Sequence, residues 1–259
     1  MKRTLTLVMT YWNRKKQLQN TLRSIAKYEH DINIIIVDDC STDGDDIHCF
    51  ETDRIAVIRL ENKKWVNPCI PFNVGFSLIN SDIVIIQNAE CLHIGDVVGH
   101  ALNNAKRGTY LSYCAFSIDK GLTDRITSGE DANKLIAQYM NQSPRPAEWG
   151  KNGWYNHPNY RPAAYHFCSA IMRDDLYALG GFDERYAKGS AYDDDDFICR
   201  VRKMGLRIDF VRSPMVVHQH HEAFNAGSIP IMMNINYQLS QKTKLTKEYD
   251  VKPYNDIYV

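Results

Sequence analysis

The feature that most constrains the fold is an apolar, β-branched run at residues 32–37 (INIIIV), which leads directly into Asp38-Asp39. A strand with one face in solvent alternates polar and apolar residues, whereas a continuous apolar run is typical of a strand covered on both faces. Strands of that kind occur in parallel sheets with helices packed on both sides. The run therefore predicts an α/β protein with acidic side chains at the carboxyl end of a buried strand.

Strand-like and helix-like patterns alternate on either side of this run. The predicted elements are a strand at residues 4–10, a helix at 14–28, strands at 54–60 and 82–86, and a short helix at 72–79. In open α/β sheets, ligands bind beyond the carboxyl ends of the strands. We therefore expect Thr10-Tyr11, Asp38-Asp39 and residues 88–90 (NAE) to meet in one crevice.

The composition excludes several classes of protein. The chain has 259 residues, and its 31 basic residues equal its 31 acidic ones, so it lacks the basic footprint of a nucleic-acid binder. It has no apolar run near the ~20 residues of a transmembrane segment, and no signal peptide is recognisable. The seven cysteines are scattered and include no CxxC pair, which fits a reducing environment. We expect a cytoplasmic chain with one large domain.

The alternation breaks in the second half of the chain. Residues 141–166 are rich in proline, asparagine and aromatic residues, and their lack of periodicity predicts an ordered functional loop. The elements predicted around it are strands at 109–117, 165–172 and 207–217, and helices at 174–179 and 194–204. The residues after 223 carry several lysines and are expected to form a docking helix or to be partly loose.

Three polar clusters allow both a structural and a chemical interpretation. Residues 38–44 (DDCSTDG) fit either a strand end with a turn or a binding site. Residues 193–196 (DDDD) could cap the following helix, but four adjacent carboxylates repel one another, so the extra acids suggest a cation, a polyol hydroxyl or a proton to abstract. His218, His220 and His221 could form a surface turn or ligate a metal.

Five segments follow one another along the chain: TYWNR at 10–14, VDDCSTDG at 37–44, NAE at 88–90, GGFDE at 180–184 and DDDDFICR at 193–200. Their order resembles that of the inverting family 2 glycosyltransferases, which have the GT-A fold, with NAE in the place of a DxD triplet. The acidic run is also similar to the EDDD segment of galactosyl- and N-acetylgalactosaminyltransferases. The resemblance implies a Rossmann-like, mostly parallel central sheet flanked by helices, with a smaller acceptor-side region and a C-terminal tail.

The same resemblance implies how the chain is divided. A GT-A domain covers residues 1–222, with a nucleotide-sugar-binding half at 1–108 and an acceptor and catalytic half at 109–222. Residues 223–259 form a helical or partly flexible tail.

The resemblance also implies the residues that bind the donor. Thr10, Tyr11 and Asp39 match nucleotide-binding positions, and Asn73 lies in an element found near the donor. That element commonly carries arginine where this chain has Phe72. The expected donor is a UDP-sugar.

A divalent cation, Mn²⁺ or Mg²⁺, is implied at the DxD position, here Asn88 and Glu90. An amide and a longer carboxylate keep oxygen ligands but less negative charge, so weaker metal binding is expected. Asn88 would also contact the diphosphate. His218, followed by Gln219 as in some polymerising members, is the expected histidine ligand, with His220 and His221 as alternatives.

Catalysis is implied at the acidic run. Asp194 matches the catalytic aspartate and Asp193 takes the place of a glutamate before it. The pKa of a sugar hydroxyl lies far above 7, so a positioned carboxylate is needed to take its proton. The expected mechanism is a single displacement with inversion and Asp194 as the base.

The acceptor side is implied by the irregular loop and the GGFDE turn. Aromatic faces suit sugar rings, although the aromatic residues of the loop also fit core positions. The candidates are Trp154 with its loop neighbours Trp149, Tyr155 and His157, and the turn residues Asp183 and Glu184.

The resulting hypothesis is a hexosyl- or N-acetylhexosaminyltransferase acting on a carbohydrate or glycoconjugate acceptor. A nucleotidyltransferase is disfavoured because residues 12–14 (WNR) contain no glycine-rich loop. A non-catalytic nucleotide-sugar or carbohydrate-binding module is the remaining alternative. Asn88 motivates it, and the retention of Asp194 and His218 argues against it.

Overall fold

The computed structural model describes residues 3–44, 46–140, 150–222 and 229–245, and has an α/β architecture. Its first half alternates strands and helices as the sequence predicts. The elements are β1 (Leu5–Tyr11), α1 (Lys15–Ala26), β2 (Asn33–Asp38), β3 (Ile55–Arg59), α2 (Cys69–Ser77) and β4 (Ile83–Asn88). A 3-10 helix, His48–Phe50, lies between β2 and β3.

The second half contains shorter strands and more connections. Its strands are β5 (Cys91–Ile94), β6 (Thr109–Ser117), β7 (Gly153–Asn156), β8 (Cys168–Met172) and β9 (Arg207–His218). Its helices are α3 (Val97–Asn104), α4 (Lys120–Thr127), α5 (Ala132–Met140), α6 (Arg173–Leu179), α7 (Asp193–Lys203) and α8 (Ile229–Leu245), with a 3-10 helix at Glu184–Lys188.

Strands β3, β2, β1 and β4 lie side by side and are parallel. β2 and β4 are buried along almost their whole length, which explains their continuous β-branched sequences. Tyr11 pairs with Asp38, and Thr10 pairs with Asn88. The carboxyl ends of three strands therefore meet at one edge of the sheet, as the sequence predicts.

Beyond β4 the sheet is mixed. β8 is antiparallel to β4 and to β6, whereas β9 is parallel to β6 and antiparallel to β5. Parallel pairing is thus concentrated in the first half of the chain. The register of β9 on β5 places His218 opposite Cys91, so the last strand ends beside the turn that carries Glu90.

Helices cover both faces of the sheet. α1 buries Leu18 on one face, while α2 and α7 bury Phe72 and Phe197 on the other. Full burial of a large apolar side chain contributes about 1.5–3 kcal/mol. Gly75 allows α2 to lie close to β1, because a Cβ at this position would be 2.4 Å from Val8 Cγ1.

The structure contains elements that the sequence did not predict. β7 lies within residues 150–166, which were expected to be irregular; residues 141–149, including Trp149, are outside the described residues. β5 and the helices α3 to α5 also have no predicted counterpart. In the tail, α8 forms and its Asn236 donates to the carbonyl oxygens of Tyr186 and Ala191. The rest of the tail, 223–228 and 246–259, is outside the described residues.

Two compositional expectations bear on the surroundings of the chain. In the described ranges, no helix has the length and apolar character needed to cross a membrane. All seven cysteines lie in those ranges, and none forms a disulfide. The proposed boundary at 222/223 and the cytoplasmic location stay predictions.

Candidate active site

Glu90 is the centre of a cluster at the turn between β4 and β5. Its side chain is 3% exposed, and Oε1 lies 2.8 Å from Arg14 Nη1, 3.2 Å from His218 Nε2 and 3.5 Å from His221 Nε2. Within the described residues, Oε2 has no hydrogen-bond partner. Burial alone would raise the pKa of this carboxyl, but the Arg14 guanidinium beside it is the main cause that holds it well below its usual range. Glu90 is therefore a buried anion.

A hydrogen bond of His221 determines which of its ring nitrogens can act as a ligand beside Glu90. His221 Nδ1 is 2.9 Å from the carbonyl oxygen of Glu222. A carbonyl only accepts, so Nδ1 carries a proton, and in the neutral ring the lone pair is on Nε2. Burial lowers the pKa of His218, which favours the neutral form of that ring. Neutral imidazole nitrogens are metal ligands.

Gln219 fixes the backbone between these histidines. Its fully buried side chain donates to the carbonyl oxygens of Gln17 and Glu90 at 3.1 and 3.0 Å, and accepts from Asn20 Nδ2 at 2.8 Å. His220 is placed differently from its neighbours: its ring Nε2 lies 3.7 Å from the exposed Glu222 carboxylate. The structure thus brings His218 and His221 to Glu90.

These three side chains offer one ligand atom each within 4.8 Å of one another. A buried carboxylate oxygen without a partner and two imidazoles form a donor set that fits a divalent cation. Asn88, the other predicted ligand, ends β4, and its backbone N–H donates to the carbonyl oxygen of Phe167 at 3.3 Å. Thr10, at the end of β1, is half-buried beside it.

Asp39 is surrounded by aromatic and cationic groups at the same sheet edge. Trp65 Nε1 donates to Oδ1 at 2.6 Å, and Lys63 Nζ is 2.5 Å from Oδ2. Burial raises the pKa of this carboxyl, although Lys63 opposes the shift. Lys63 also lies 6.0 Å from the centre of a Trp12 ring. The backbone N–H of Asp39 donates to the carbonyl oxygen of Tyr11 at 2.8 Å, which joins β1 to β2 at this point.

Two of the four acids at the start of α7 have structural partners. Asp196 Oδ2 forms a buried ion pair with Arg200 Nε at 2.8 Å. Arg200 also donates to the carbonyl oxygen of Gly181 at 2.7 Å, which anchors α7 to the GGFDE turn. Asp195 accepts a hydrogen bond from the Tyr165 hydroxyl at 2.8 Å.

The other two acids form a second cluster with His166 and Asn67. His166 Nδ1 lies 2.5 Å from Asp194 Oδ1, and Asn67 Nδ2 donates to Asp193 Oδ1 at 2.7 Å. Asp193 is buried, and burial together with neighbouring Asp194 raises its pKa to about 6. The Asp194 side chain is 28% exposed. Asp194 therefore combines an imidazole partner with access to solvent.

His166 is held in place by aromatic rings. Its ring centre lies 4.9 Å from that of Phe72 and 4.7 Å from that of Phe182, both in edge-on contacts. Burial lowers the pKa of His166, but the carboxylates around it, Asp194 foremost, together raise it above its usual value. The ring therefore fixes the orientation of Asp194.

Asn73, Asp183 and Glu184 are joined to one another through the GGFDE turn. The Asn73 side chain donates to the carbonyl oxygen of Phe182 at 2.8 Å and to Glu184 Oε1 at 2.9 Å. Arg185 binds both oxygens of Asp183 at 2.9 and 2.6 Å. Asn73 therefore holds the turn against α2, whereas Asp183 stabilises the turn itself through Arg185.

Trp154 packs in the core rather than on an open wall. It lies in β7, is 5% exposed, and its ring centre is 5.1 Å from Phe116 and 4.4 Å from His157. An open cavity lies along α7, and its lining includes Asp195, the residue after Asp194. Its volume is about 230 Å³, and its lining consists of Pro162, Ala163, Tyr165, Asp195, Ile198 and Arg202.

Sequence reasoning missed several residues of the two clusters. Arg14 belongs to the TYWNR segment, and a cation at a strand end among acids was a usable signal. Asn67 and His166 reach Asp193 and Asp194 from 126 and 28 positions away in the chain, and no local pattern marks them. His221 was present only as an alternative to His218.

Comparison with known sequences and structures gives these clusters a context. The sequence model of the Glycosyl transferase family 2 matches residues 6–180. A comparison with curated proteins finds no significant match.

Among solved structures, the chain is similar to S. aureus TarS, at 16% identity and a TM-score of 0.59, over 94% of this chain and 40% of that one. It is also similar to a Pyrobaculum calidifontis mannosyltransferase, PcManGT, in complex with GDP-Man and Mn²⁺. The identity is 16% and the TM-score 0.53, over 93% of this chain and 65% of that one. For S. aureus TarS 1-349 in complex with UDP-GlcNAc, the identity is 16% and the TM-score 0.56, over 87% of this chain and 61% of that one. At this identity the likeness shows the GT-A fold, and the chain spans 40% to 65% of these three structures.

Proposed function

Since the chain belongs to glycosyl transferase family 2 and has the GT-A fold, we propose that it is a metal-dependent, inverting transferase. It moves a hexosyl or N-acetylhexosaminyl group from a UDP-sugar to a hydroxyl of a carbohydrate or glycoconjugate. The observation that carries the proposal is the pairing of two separate clusters. Glu90 lies among imidazoles, and Asp194 is a partly exposed carboxylate held by His166.

The metal-binding residues in this proposal are Glu90, His218 and His221, with Asn88 as a further oxygen ligand. Two imidazoles favour Mn²⁺ over Mg²⁺, which prefers oxygen ligands throughout. When bound, the cation would offset the charge of the departing nucleoside diphosphate as a Lewis acid. Glu90 Oε2 has no hydrogen-bond partner among the residues that the structure describes, and this supports the assignment.

Asp194 is the proposed base. Its carboxylate takes the proton of the acceptor hydroxyl as that oxygen forms a bond to the anomeric carbon. The bond from the anomeric carbon to the phosphate oxygen breaks, and the nucleoside diphosphate leaves with the electron pair. Asp193 shares the site, but its carboxylate is buried and accepts a hydrogen bond from Asn67 Nδ2, whereas the Asp194 side chain is 28% exposed and open to an acceptor. Asp193 therefore supports Asp194 and is not the base.

The donor side of the proposal comprises the strand ends of β1 and β2. Thr10, Tyr11 and Asp39 border the nucleotide, and Trp12 and Lys63 add an aromatic face and a cation. The neighbours in complex with UDP-GlcNAc and with GDP-Man support a nucleotide-sugar donor. Uridine is proposed from the motif resemblance. The role proposed for Asn73 on the donor side is indirect: it holds the GGFDE turn in place through its hydrogen bonds to Phe182.

The acceptor side of the proposal comprises the cavity beside α7. The cavity borders Asp195, the neighbour of the proposed base. Glu184 is half-buried, and burial raises its pKa, which suits a hydrogen bond to an acceptor hydroxyl. Trp154 and Asp183, the other predicted acceptor residues, are not among the residues that line this cavity.

The test is donor turnover with a panel of UDP- and GDP-sugars, Mn²⁺ and no acceptor, followed by an acceptor panel. We expect slow hydrolysis of at least one UDP-sugar and loss of that hydrolysis on chelation. Binding of a nucleotide-sugar without turnover under any condition would favour the non-catalytic module.

A further inference from the structure

Three nitrogen groups converge on a single oxygen of Glu90. Arg14 Nη1 is the nearest, at 2.8 Å from Oε1, and the ring nitrogens of His218 and His221 follow at 3.2 and 3.5 Å. The histidines can be neutral, but a guanidinium is charged at every accessible pH. Arg14 is therefore the permanent counter-charge of this buried carboxylate.

Arg14 is also the partner with room to move. It is the residue before α1, and its side chain is 21% exposed, whereas that of Glu90 is 3% exposed. The histidines are fixed by the β9 register and by the hydrogen bonds of Gln219. A change at the cluster would therefore displace the arginine before it displaces any other ligand.

A divalent cation and the guanidinium compete for the single negative charge of the Glu90 carboxylate, whichever of its oxygens each contacts. A buried carboxylate needs a compensating charge, and removing its partner leaves an expensive uncompensated ion. One positive group within contact distance supplies that charge, whereas two would repel each other at short range in a weakly screened site. Glu90 can thus be paired with Arg14 or with a cation, but not fully with both.

We infer that Arg14 is a built-in counter-ion that competes with the divalent cation for Glu90 and turns to the donor diphosphate when it is displaced. This inference rests on the metal site proposed above. Its consequence is coupling: the cation binds weakly to the free protein and more tightly when a nucleoside diphosphate is present to receive the arginine.

The experiment is a Mn²⁺ titration of the nucleotide-free chain, followed by the EPR signal of free Mn²⁺. Arg14→Gln should bind Mn²⁺ at least about fivefold more tightly than the wild type, the lower end of typical coupling between sites. Lys16→Gln removes a charge from an exposed position two residues away and should stay within about twofold. Equal or weaker Mn²⁺ binding by Arg14→Gln would overturn the inference.

A second titration adds UDP. The wild-type affinity for Mn²⁺ should rise by more than that of Arg14→Gln, so that the advantage of the variant shrinks. An unchanged advantage in the presence of UDP would overturn the diphosphate half of the inference. Arg14→Lys, which keeps a charge without the forked guanidinium geometry, should bind Mn²⁺ with intermediate affinity. It serves as the decisive variant if Arg14→Gln does not fold.

Glu90→Gln separates failure of this inference from failure of the metal site. If Glu90→Gln abolishes Mn²⁺ binding while Arg14→Gln leaves it unchanged, the metal site stands and the competing role of Arg14 is wrong. If no form of the chain binds Mn²⁺, both the site and the inference are wrong.

Discussion

The Glu90 cluster and the Asp194 cluster are both built from histidine and carboxylate side chains, but histidines predominate in the first and carboxylates in the second. Each contains three buried or partly buried His and carboxylate side chains whose ligand atoms lie within 4.8 Å of one another. The first has one carboxylate with two imidazoles and an arginine, whereas the second has two carboxylates with one imidazole. An excess of nitrogen ligands suits a cation, and an excess of carboxylate suits a proton. The ratio of nitrogen groups to carboxylates, rather than the residue types present, therefore distinguishes the two proposed roles.

The sharpest test of this contrast is Asp194→Asn. The amide keeps the shape of the side chain but cannot accept a proton, so turnover should fall by about 10²–10⁴-fold. Nucleotide and Mn²⁺ affinities should stay within about twofold, because the Glu90 cluster is untouched. Transfer rates and calorimetric titration measure both quantities.

Asp195→Asn is the matched control for that experiment. It removes the same charge from the adjacent position, and its amide oxygen can still accept from the Tyr165 hydroxyl. Comparable activity of Asp194→Asn and the wild type would contradict the role of the Asp194 cluster.

The proton-holding character of the second cluster can be tested through stability. The pKa of Asp193 is raised from 3.8 to about 6, so the folded chain binds this proton more tightly than the unfolded chain does. Stability should therefore fall as the pH rises from about 4 to about 6, by about 3 kcal/mol at 1.36 kcal/mol per pKa unit. Asp193→Asn has no proton to lose and should escape this decrease.

Urea denaturation at both ends of that pH range measures the effect. The stability of Asp193→Asn relative to the wild type should increase toward neutral pH. A pH-independent difference for Asp193→Asn would mean that Asp193 is an ordinary ionised carboxylate.

The cation-holding character of the first cluster predicts a loss of Mn²⁺ affinity in His218→Ala. Removal of one imidazole should weaken binding by at least about tenfold, with little effect on nucleotide binding measured without metal. His220→Ala is the control, because the ring of His220 is placed toward Glu222. Equal Mn²⁺ affinities of the two variants would remove the basis for assigning the cation to this cluster.

His166→Asn should have the smallest effect on turnover of these changes. The shorter side chain loses the imidazole contact with Asp194. The backbone N–H of residue 166 then holds the carboxylate less firmly, at 3.4 Å, so kcat should fall by about tenfold with an unchanged KM for the donor. The pH profile should also shift, because the imidazole no longer interacts with Asp194. A change confined to thermal stability would identify His166 as a packing residue alone.

The sequence indicated the first half of the fold well because local pattern and tertiary environment agree there. The runs that became β2 and β4 are buried on both faces, so their composition reports their surroundings directly. β7 has four residues and begins with Gly153. It exists because it pairs with β6, and no pattern within four residues can encode that.

The site shows the same division. The position of Glu90 follows from the end of an apolar strand, and that of Asp194 from an acidic run at the start of a helix. The neighbours that determine their chemistry are distant in sequence: Arg14 reaches Glu90 across the sheet edge, and Asn67 reaches Asp193 from before α2. The surroundings of Trp154 also depend on tertiary packing, which placed this residue in the core.

The buried amide of Gln219 links α1, the turn after β4 and the end of β9 through a single side chain. Its side-chain protons can exchange with solvent only when those three elements separate, so their exchange rate reports the opening of this whole unit. A deuterium-exchange or NMR measurement of Gln219 would therefore show whether the region around Glu90 opens on its own or only when the entire domain unfolds.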